Sequence, residues 1–409
     1  MLGGQQGGSP IEGTLTSPWT LDLKALTLAL PRIVADLTLP NPKGGTLAFG
    51  AQGSASVDLG RHALDARLNG KLDESRFDAK LGMSRFTPPA IGFDLGIDRV
   101  DLDRYRAATT PAPGGPAAQT PLDLSALKDL DARGSLRVGA LQVAGVKLSQ
   151  LRVDLRAAGG RVELDPLAAE LYQGRVAGRV ALVAAKAPRV TVQQKLSNVA
   201  VGPLLKDAFG KDLLEGRGNV ALDVSTQSGS VGAMLKALSG SARIELRDGS
   251  VRGFNIAQAI RSAKARLGTA AGEHAGTGSA AESTDFSELS GSFAIVKGVA
   301  HNDDLLAKSP LLRITGNGDV DLGQGRVDYL VKATVVDTLQ GQGGPELQSL
   351  RGQTVPVRLS GPFSAIGYRI DFAGLLQEMA KKKLDTKAED LKAKAQQQLG
   401  DKLKGLFGK

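Results

Sequence analysis

An alternation of apolar and polar residues with a period of two constrains this chain more than any other feature. It is clearest from Leu312 to Val335, where polar residues such as Arg313 and Asp319 fill the other parity. Successive side chains of a β-strand point to opposite faces, so the alternation predicts strands with one apolar and one wet face. A turn at Gly323 to Gly325 predicts an antiparallel hairpin. The apolar parity comprises Leu312, Ile314, Gly316, Gly318, Val320, Leu322, Val327, Tyr329 and Val331.

The same pattern recurs upstream. Aromatic residues make up only 4% of the chain and 52 of its 409 residues are glycine, a composition that suits many short strands and turns. The predicted fold is mostly β. We expect a long, curled antiparallel sheet, taco-like with an open hydrophobic groove, a few short helices and a C-terminal amphipathic helix. The upstream apolar parities include Val176, Gly178, Val180, Leu182, Gly218, Val220 and Leu222.

Glycines on the apolar parity are unusual, because glycine weakens a strand interior and marks a bend, a bulge or a close approach. One interpretation is that these glycines leave a shallow trough that acyl chains fill. Each methylene buried there would contribute about 0.8 kcal/mol to the free energy of binding. The alternative is that they fit tight sheet curvature or accept bulky residues from a covering layer. The spacing leaves both interpretations open, and it makes the residues of these apolar parities candidates for lining a lipid groove.

Changes in composition divide the chain into four segments. They are a β segment at residues 1–106, a proline- and alanine-rich linker at 107–120, a β domain with short helices at 121–372, and a basic helical tail at 373–409. Helices are predicted within residues 199–215, 231–238 and 254–267, and loops at residues 1–10 and 268–283. The linker leaves open whether one sheet continues across it.

Positive charge is concentrated at the C terminus. The net charge is +9, and from residue 381 onward there are nine lysines and four acidic residues. A uniform nucleic-acid surface does not fit this distribution. A basic amphipathic helix can lie on an anionic membrane surface, or it can pack as a partner helix with solvated lysines. The membrane-surface candidates are Lys381, Lys382, Lys383, Lys402 and Lys404.

Enzyme chemistry has little support in the sequence. The chain has no cysteine, which excludes disulfides and thiolate sites, and its three histidines are far apart. Carboxylates such as Asp319 lie on the wet parity of strands, where solvated charge is expected. We therefore expect no catalytic residue, no metal site and no cofactor. The sequence also has no apolar run long enough to span a bilayer as a helix.

Several long stretches resemble the C-terminal region of AsmA family proteins. Residues 196–256 begin with LSNVAVGPLLKDAFGKDLLEGRGNVALDV, and residues 284–333 begin with TDFSELSGSFAIVKG. The later stretch GQTVPVRLSGPF and the upstream stretches LYQGRVAGRVAL and FDLGIDRVDLDRYR are similar to the same family. The resemblance covers most of residues 11–372.

The resemblance implies a bacterial envelope protein that projects into the periplasm, with the parent protein anchored in the inner membrane by an N-terminal helix absent from this sequence. It also implies an architecture similar to TamB-like and bridge-like lipid-transfer proteins, whose long curled sheets carry a hydrophobic groove. From it we expect phospholipid acyl chains as partners, and a role in phospholipid transport and outer-membrane biogenesis.

Two other classes of function stay open. A structural or assembly factor would bind outer-membrane or other envelope proteins by adding a strand at an open sheet edge. An enzyme acting on lipid or peptidoglycan is the weakest class, because no acid, base or nucleophile stands out in the sequence.

Overall fold

A single sheet accounts for most of the described chain. The computed structural model describes residues 2–6, 9–41, 43–105, 124–210, 212–265, 274–277, 282–336, 351–363 and 365–370. The 22 strands within these ranges all belong to one sheet. The alternation of side chains along each strand therefore sets the chemistry of two extended faces.

Strands and tight turns follow one another along the chain. The strands before the linker are β1 (Leu2–Gln6), β2 (Ser9–Thr16), β3 (Thr20–Asp22), β4 (Thr27–Pro40), β5 (Thr46–Asp58), β6 (Ala63–Leu72), β7 (Ser75–Phe86) and β8 (Pro89–Asp101). The next group is β9 (Asp131–Val143), β10 (Val146–Ala158), β11 (Arg161–Leu171), β12 (Gly174–Val183), β13 (Arg189–Ala200), β14 (Arg217–Gln227) and β15 (Ser239–Arg252). The last group is β16 (His274–Thr277), β17 (Ser283–Val296), β18 (Val299–Lys308), β19 (Leu312–Asp321), β20 (Arg326–Val335), β21 (Thr354–Pro362) and β22 (Gly367–Ile370).

The α-helices of the described ranges are short. They are α1 (Val201–Phe209), α2 (Val231–Lys236) and α3 (Ile256–Ala265). Within those ranges, no helix has the length and apolar character needed to cross a membrane.

Strands that follow one another in the chain are neighbours in the sheet. Antiparallel pairing runs from β4 to β8, from β9 to β15 and from β17 to β22, and β15 pairs with β17. Strands β2 and β3 pair with different parts of β4, and β16 pairs with β22. Among the described strands, β1 and β16 each have one partner, so the sheet is open at both ends.

The predicted fold class is confirmed, because the sheet is long, open, curled and antiparallel, with few helices. The predicted hairpin is β19 and β20, and the three helices lie within the predicted helical ranges. Two loop predictions are wrong: β1 and β16 lie in segments expected to be loops. Pairing with β2 and β22 recruits these segments even though their own composition favours turns. The predicted C-terminal helix, residues 373–409, lies outside the described residues.

The sheet continues from one side of the predicted linker to the other. Strand β8 pairs in parallel with β9, from Ala90 beside Asp131 to Asp101 beside Gln142. A parallel pair, unlike an antiparallel hairpin, needs a connection that returns the chain to the same end of the sheet. The linker itself, residues 107–120, lies outside the described residues.

One face of the sheet is polar and is held by cross-strand pairs between exposed side chains. Arg358 donates two hydrogen bonds to the carboxylate of Asp328, at 3.0 and 2.8 Å. Gln193 donates to Asp223 at 2.9 Å. Exposed ion pairs each contribute only about 0–1 kcal/mol, so stability has to come mainly from the backbone ladder and the opposite, apolar face.

The main core lies where α3 covers the apolar face near its C-terminal end. Ile260 of α3 is fully buried, together with Leu312, Val355 and Val357 of the sheet. The start of α3 is fixed to β17, because the Ile256 amide donates to Oγ1 of Thr284 at 3.0 Å. This is the largest cluster of buried apolar residues in the described chain, and burial contributes about 25 cal/mol of stability per Å² of apolar surface.

Candidate functional site: a continuous apolar face

The apolar face can be followed from strand to strand, because directly paired residues of neighbouring strands share a face. We use the name central row for the paired residues that include Gly178. From β4 to β17 they are Ile33, Gly53, Leu68, Ala79, Leu95, Leu136, Val153, Leu167, Gly178, Gln194, Leu222, Ala242 and Phe293. A register shift separates β17 from β18, and the row resumes with Asn302, Gly318, Tyr329, Leu359 and Tyr368.

A second row runs beside the central row. Its members from β4 to β21 are Leu30, Ala55, Ala66, Leu81, Phe93, Gly134, Leu155, Leu164, Val180, Val192, Val224, Gly240, Ile295, Ala300, Val320, Val327 and Gly361. Every one of these residues is apolar or glycine. With neighbouring strands about 4.8 Å apart, the second row is about 75 Å long.

The two rows place the predicted groove residues on one face but in two environments. Partly exposed members are Val176, Gly178, Val180, Leu182, Gly218, Val220, Leu222, Gly318, Val320, Leu322 and Val327. Buried members are Leu312, Ile314, Gly316, Tyr329 and Val331. Most of the predicted positions are therefore partly exposed, and those around Leu312 and Val331 are buried; further buried clusters lie on the same face around Val153 and Val224.

The cover over the buried members is α3. Ile256, Ala259 and Ile260 are 6%, 4% and 0% exposed and belong to the same core as Ile314 and Val331. The sequence predicts a helix within residues 254–267, but it does not indicate which part of the sheet the helix covers.

The glycines of the apolar face have a physical cause in the backbone. A Cβ atom at Gly178 would lie 2.0 Å from the carbonyl oxygen of Gln193, and one at Gly218 would lie 1.9 Å from that of Glu245. Such distances are far inside van der Waals contact, so only glycine permits these close approaches between strands. Gly318 has a φ of +150° in addition. The geometry favours the interpretation that the glycines fit tight sheet curvature.

A buried polar cluster lies where the central row meets the α3-covered core. Tyr329 donates a hydrogen bond to Oδ1 of Asn302, and Nδ2 of Asn302 donates to the Ser292 carbonyl at 2.8 Å and to Asp304 at 2.7 Å. Hydrogen bonds from the Ser292 side chain and backbone hold the pKa of Asp304 below its usual value. Burial raises the pKa of Tyr329, so it is a neutral donor at physiological pH. The protein itself thus satisfies this cluster.

Titratable groups on the polar face form ordinary ion pairs. His301 lies between Asp319 and Asp303, with ring nitrogen to carboxylate distances of 2.7 and 3.0 Å. The hydrogen bond to Asp319, followed by that to Asp303, raises the pKa of His301. Within the described ranges, no group of histidine and acidic residues has an arrangement that could hold a metal ion.

A cavity of about 710 Å³ lies away from the apolar face, at the strand ends around Lys147 and Tyr172. Tyr172 donates to Asp207 at 2.7 Å, and burial raises the pKa of Tyr172. Glu170 and Arg175 also line this cavity. Opposite charges are mixed along its wall, so it does not select for one sign of ligand.

Several residues of the apolar face were not predicted from the sequence. Ala242 and Phe293 occupy the central row on β15 and β17, and both were in strands of recognisable alternation. Gln194 was missed as well, although it shares a parity with Val192 and Leu196. The membrane-surface candidates Lys381, Lys382, Lys383, Lys402 and Lys404 lie outside the described residues.

These features define a class: an elongated, open β-sheet protein with one polar face and one continuous apolar face that is partly exposed at most of its paired positions. Residues 106–305 match the AsmA family, and the match covers β9 to β17 and most of β18. The chain is also similar to the protein AsmA of Escherichia coli strain K12, with 27% identity over 264 residues. Both similarities support the predicted resemblance of the chain to AsmA family proteins.

The similarity to the Escherichia coli protein covers 62% of this chain and 41% of that protein, so the matched region is less than half of the relative's length. No solved structure matches the chain significantly.

Proposed function

We propose that this chain binds phospholipid acyl chains on its apolar face and lets them move along it, in support of outer-membrane biogenesis. The similarity to the AsmA family supports an envelope-related function. The observation that carries the lipid proposal is the second row, which is apolar or glycine from β4 to β21 and partly exposed at most positions. Large accessible apolar surfaces on proteins mark binding sites.

The energetics favour movement along the row over tight binding at one place. Each methylene that leaves water for the apolar face contributes about 0.8 kcal/mol, wherever along the row it lies. Because the chemistry of the row repeats from strand to strand, an acyl chain can shift by one strand without losing contact area. The head group stays in water at the rim of the sheet, where its charge needs no partner.

The length of the row fits more than one lipid. A bilayer core of about 30 Å holds two acyl chains end to end, so the row, at about 75 Å, accommodates several chains in succession. We place this activity in the periplasm, where a lipid crossing between two membranes needs a shield from water. The basic tail is expected to contact an anionic membrane surface, with about 1 kcal/mol contributed by each lysine near it.

The decisive experiment measures phospholipid transfer by two variants, one with a charge on the apolar face of the sheet and one with the same charge on the polar face. Leu222 belongs to the central row, and Ala221 beside it in β14 is exposed on the polar face. Leu222→Glu should stop transfer of a fluorescent phospholipid between liposomes, because covering a carboxylate with an acyl chain is costly. Ala221→Glu, between Lys195 and Arg243, should leave transfer unchanged.

Native mass spectrometry of the same proteins gives an independent measurement. We expect copurified phospholipid with the wild-type protein and with Ala221→Glu, and a loss of it with Leu222→Glu. The proposal is wrong if the wild-type protein neither carries phospholipid nor transfers it.

A second candidate function follows from the open sheet edges. In the described chain, β16 pairs with β22 alone, so its other edge presents backbone donors and acceptors that a strand of another protein can pair with. Photo-crosslinking from β16 and from the central row separates the two functions. Protein adducts from β16 favour an assembly factor, and lipid adducts from the central row favour the carrier.

A further inference from the structure

One polar side chain interrupts the apolar part of the central row. Gln194 pairs with Gly178 on one side and Leu222 on the other, and its same-face neighbours along β13 are Val192 and Leu196. Among the described members of this row between Ile33 and Phe293, the remaining residues are aliphatic, aromatic or glycine. A glutamine in this setting needs an explanation, because it lowers the affinity of the row for a plain hydrocarbon chain.

The nitrogen of the Gln194 side-chain amide forms a hydrogen bond within the protein. Its Nε2 donates to the carbonyl oxygen of Arg179 at 3.3 Å. Arg179 lies beside the register shift at which Asp165 and Pro166 are inserted in β11, and Pro166 has no backbone N–H to donate. Gly178 adds no side chain next to Gln194, so the amide can reach across β12 to this carbonyl.

The other half of the amide has no partner. Gln194 Oε1 is shielded from solvent, and it is the one buried side-chain nitrogen or oxygen of the described residues without a hydrogen bond. The other amide of the central row differs, because Asn302 is bonded through both its oxygen and its nitrogen. Buried polar groups are almost always satisfied, and an exception points to a missing partner.

We propose that Gln194 is a recognition point for an acyl chain that carries a hydroxyl group along its length. The proposal rests on the function proposed above, since it assigns a ligand class to the same apolar face. An acyl chain lying on the central row contacts the Gln194 side chain. An amide oxygen accepts hydrogen bonds, so Gln194 Oε1 accepts the hydrogen bond that the ligand hydroxyl donates, while Nε2 keeps its bond to Arg179.

The unpaired atom of Gln194 is a hydrogen-bond acceptor, so the group that pairs with it has to be a donor on the ligand. A hydroxyl that enters an apolar surface without a partner loses its hydrogen bonds to water, which disfavours binding. A hydroxyl that meets Gln194 Oε1 replaces those bonds and satisfies the orphaned acceptor in the same step. The site therefore discriminates between a hydroxylated and a plain acyl chain of the same length.

The test compares 12-hydroxyoctadecanoic acid with octadecanoic acid, each displacing a fluorescent fatty acid from the full chain. We expect the hydroxy acid to bind about threefold to tenfold more tightly to the wild-type protein, as one satisfied hydrogen bond provides. In Gln194→Met the preference should reverse, because the hydroxyl then enters an apolar surface unpaired. Gln193→Met, on the polar face of the same strand, should keep the wild-type preference.

The outcomes separate this inference from the function on which it rests. Equal binding of the two acids to the wild-type protein overturns the role of Gln194 and leaves the carrier function standing. An unchanged preference in Gln194→Met, with its circular dichroism preserved, overturns it as well. Failure of both acids to displace the probe from the wild-type protein overturns the carrier function and the inference together.

Discussion

The contrast between an accessible and a covered apolar face predicts two different costs for the same substitution. Val180 on β12 is partly exposed, with Leu164 and Val192 as its pairing partners. Val357 on β21 is 0% exposed. Each valine lies in a strand with neighbours on both sides, so the change in strand propensity on mutation to alanine is matched.

The magnitudes follow from burial. Val→Ala removes two methyl groups, worth about 1.6 kcal/mol when fully buried, and a closed core adds a cavity penalty. Val357→Ala should therefore lower the free energy of unfolding by about 2–3 kcal/mol. At Val180 part of the side chain already faces water and no closed cavity forms, so Val180→Ala should cost about 1 kcal/mol or less.

Urea unfolding of both variants, followed by circular dichroism, measures this difference. The expected result is a gap of at least about 1 kcal/mol between the two variants, at equal m-values. Equal losses would refute the reasoning, because they would mean that the face around Val180 is sealed like the α3-covered core. An accessible face is the premise of the carrier function, so this measurement tests the premise without any lipid.

Three further predictions concern single positions. Gly218→Ala should destabilise the protein by about 2 kcal/mol, since the new Cβ would meet a neighbouring carbonyl oxygen. In the control Gly82→Ala the nearest atom to the new Cβ lies at 3.8 Å, so the free energy of unfolding should change by less than about 0.5 kcal/mol. Equal melting temperatures of the two variants would contradict the close approach at Gly218. Tyr329→Phe should cost about 1–3 kcal/mol in urea unfolding, because it removes the donor to the buried oxygen of Asn302, and an unchanged midpoint would show that the hydrogen bond does not matter. The pKa of His301 is raised in the folded state, so protonated His301 stabilises the fold fully at a pH below the pKa of an unfolded histidine, and this stabilisation is lost as the pH rises through the folded-state pKa. His301→Gln should therefore lower the melting temperature at pH 5.5 but not at pH 9. Equal losses of melting temperature at the two pH values would contradict this.

The strands could be predicted from the sequence because their signal is local. Alternation along Leu312 to Leu322 specifies one face of one strand, and the turn at Gly323 to Gly325 specifies its neighbour. The cause of the glycines could not be predicted, because the carbonyl that approaches Gly218 belongs to Glu245 on another strand. The distance between them depends on how the whole sheet coils.

The environment of the apolar residues could not be predicted either. Val180 and Val331 lie in strands with the same alternation, but the first is partly exposed and the second lies in the α3-covered core. What separates them is the placement of α3, which depends on contacts far apart in the sequence. Gln194 is different, since a polar residue on an apolar parity was visible in the sequence; its missing partner became visible only with the pairing of β12 and β13.

The passage from β8 to β9 shows how register preserves a long apolar face. Leu95 lies beside Leu136, and Phe93 lies beside Gly134, so both rows cross the one parallel pair of the described sheet without changing face. A shift by one residue in this pairing would turn every apolar side chain beyond it to the polar face, because side chains alternate with a period of two. The continuity on which a carrier depends is thus set by the strands on either side of the linker.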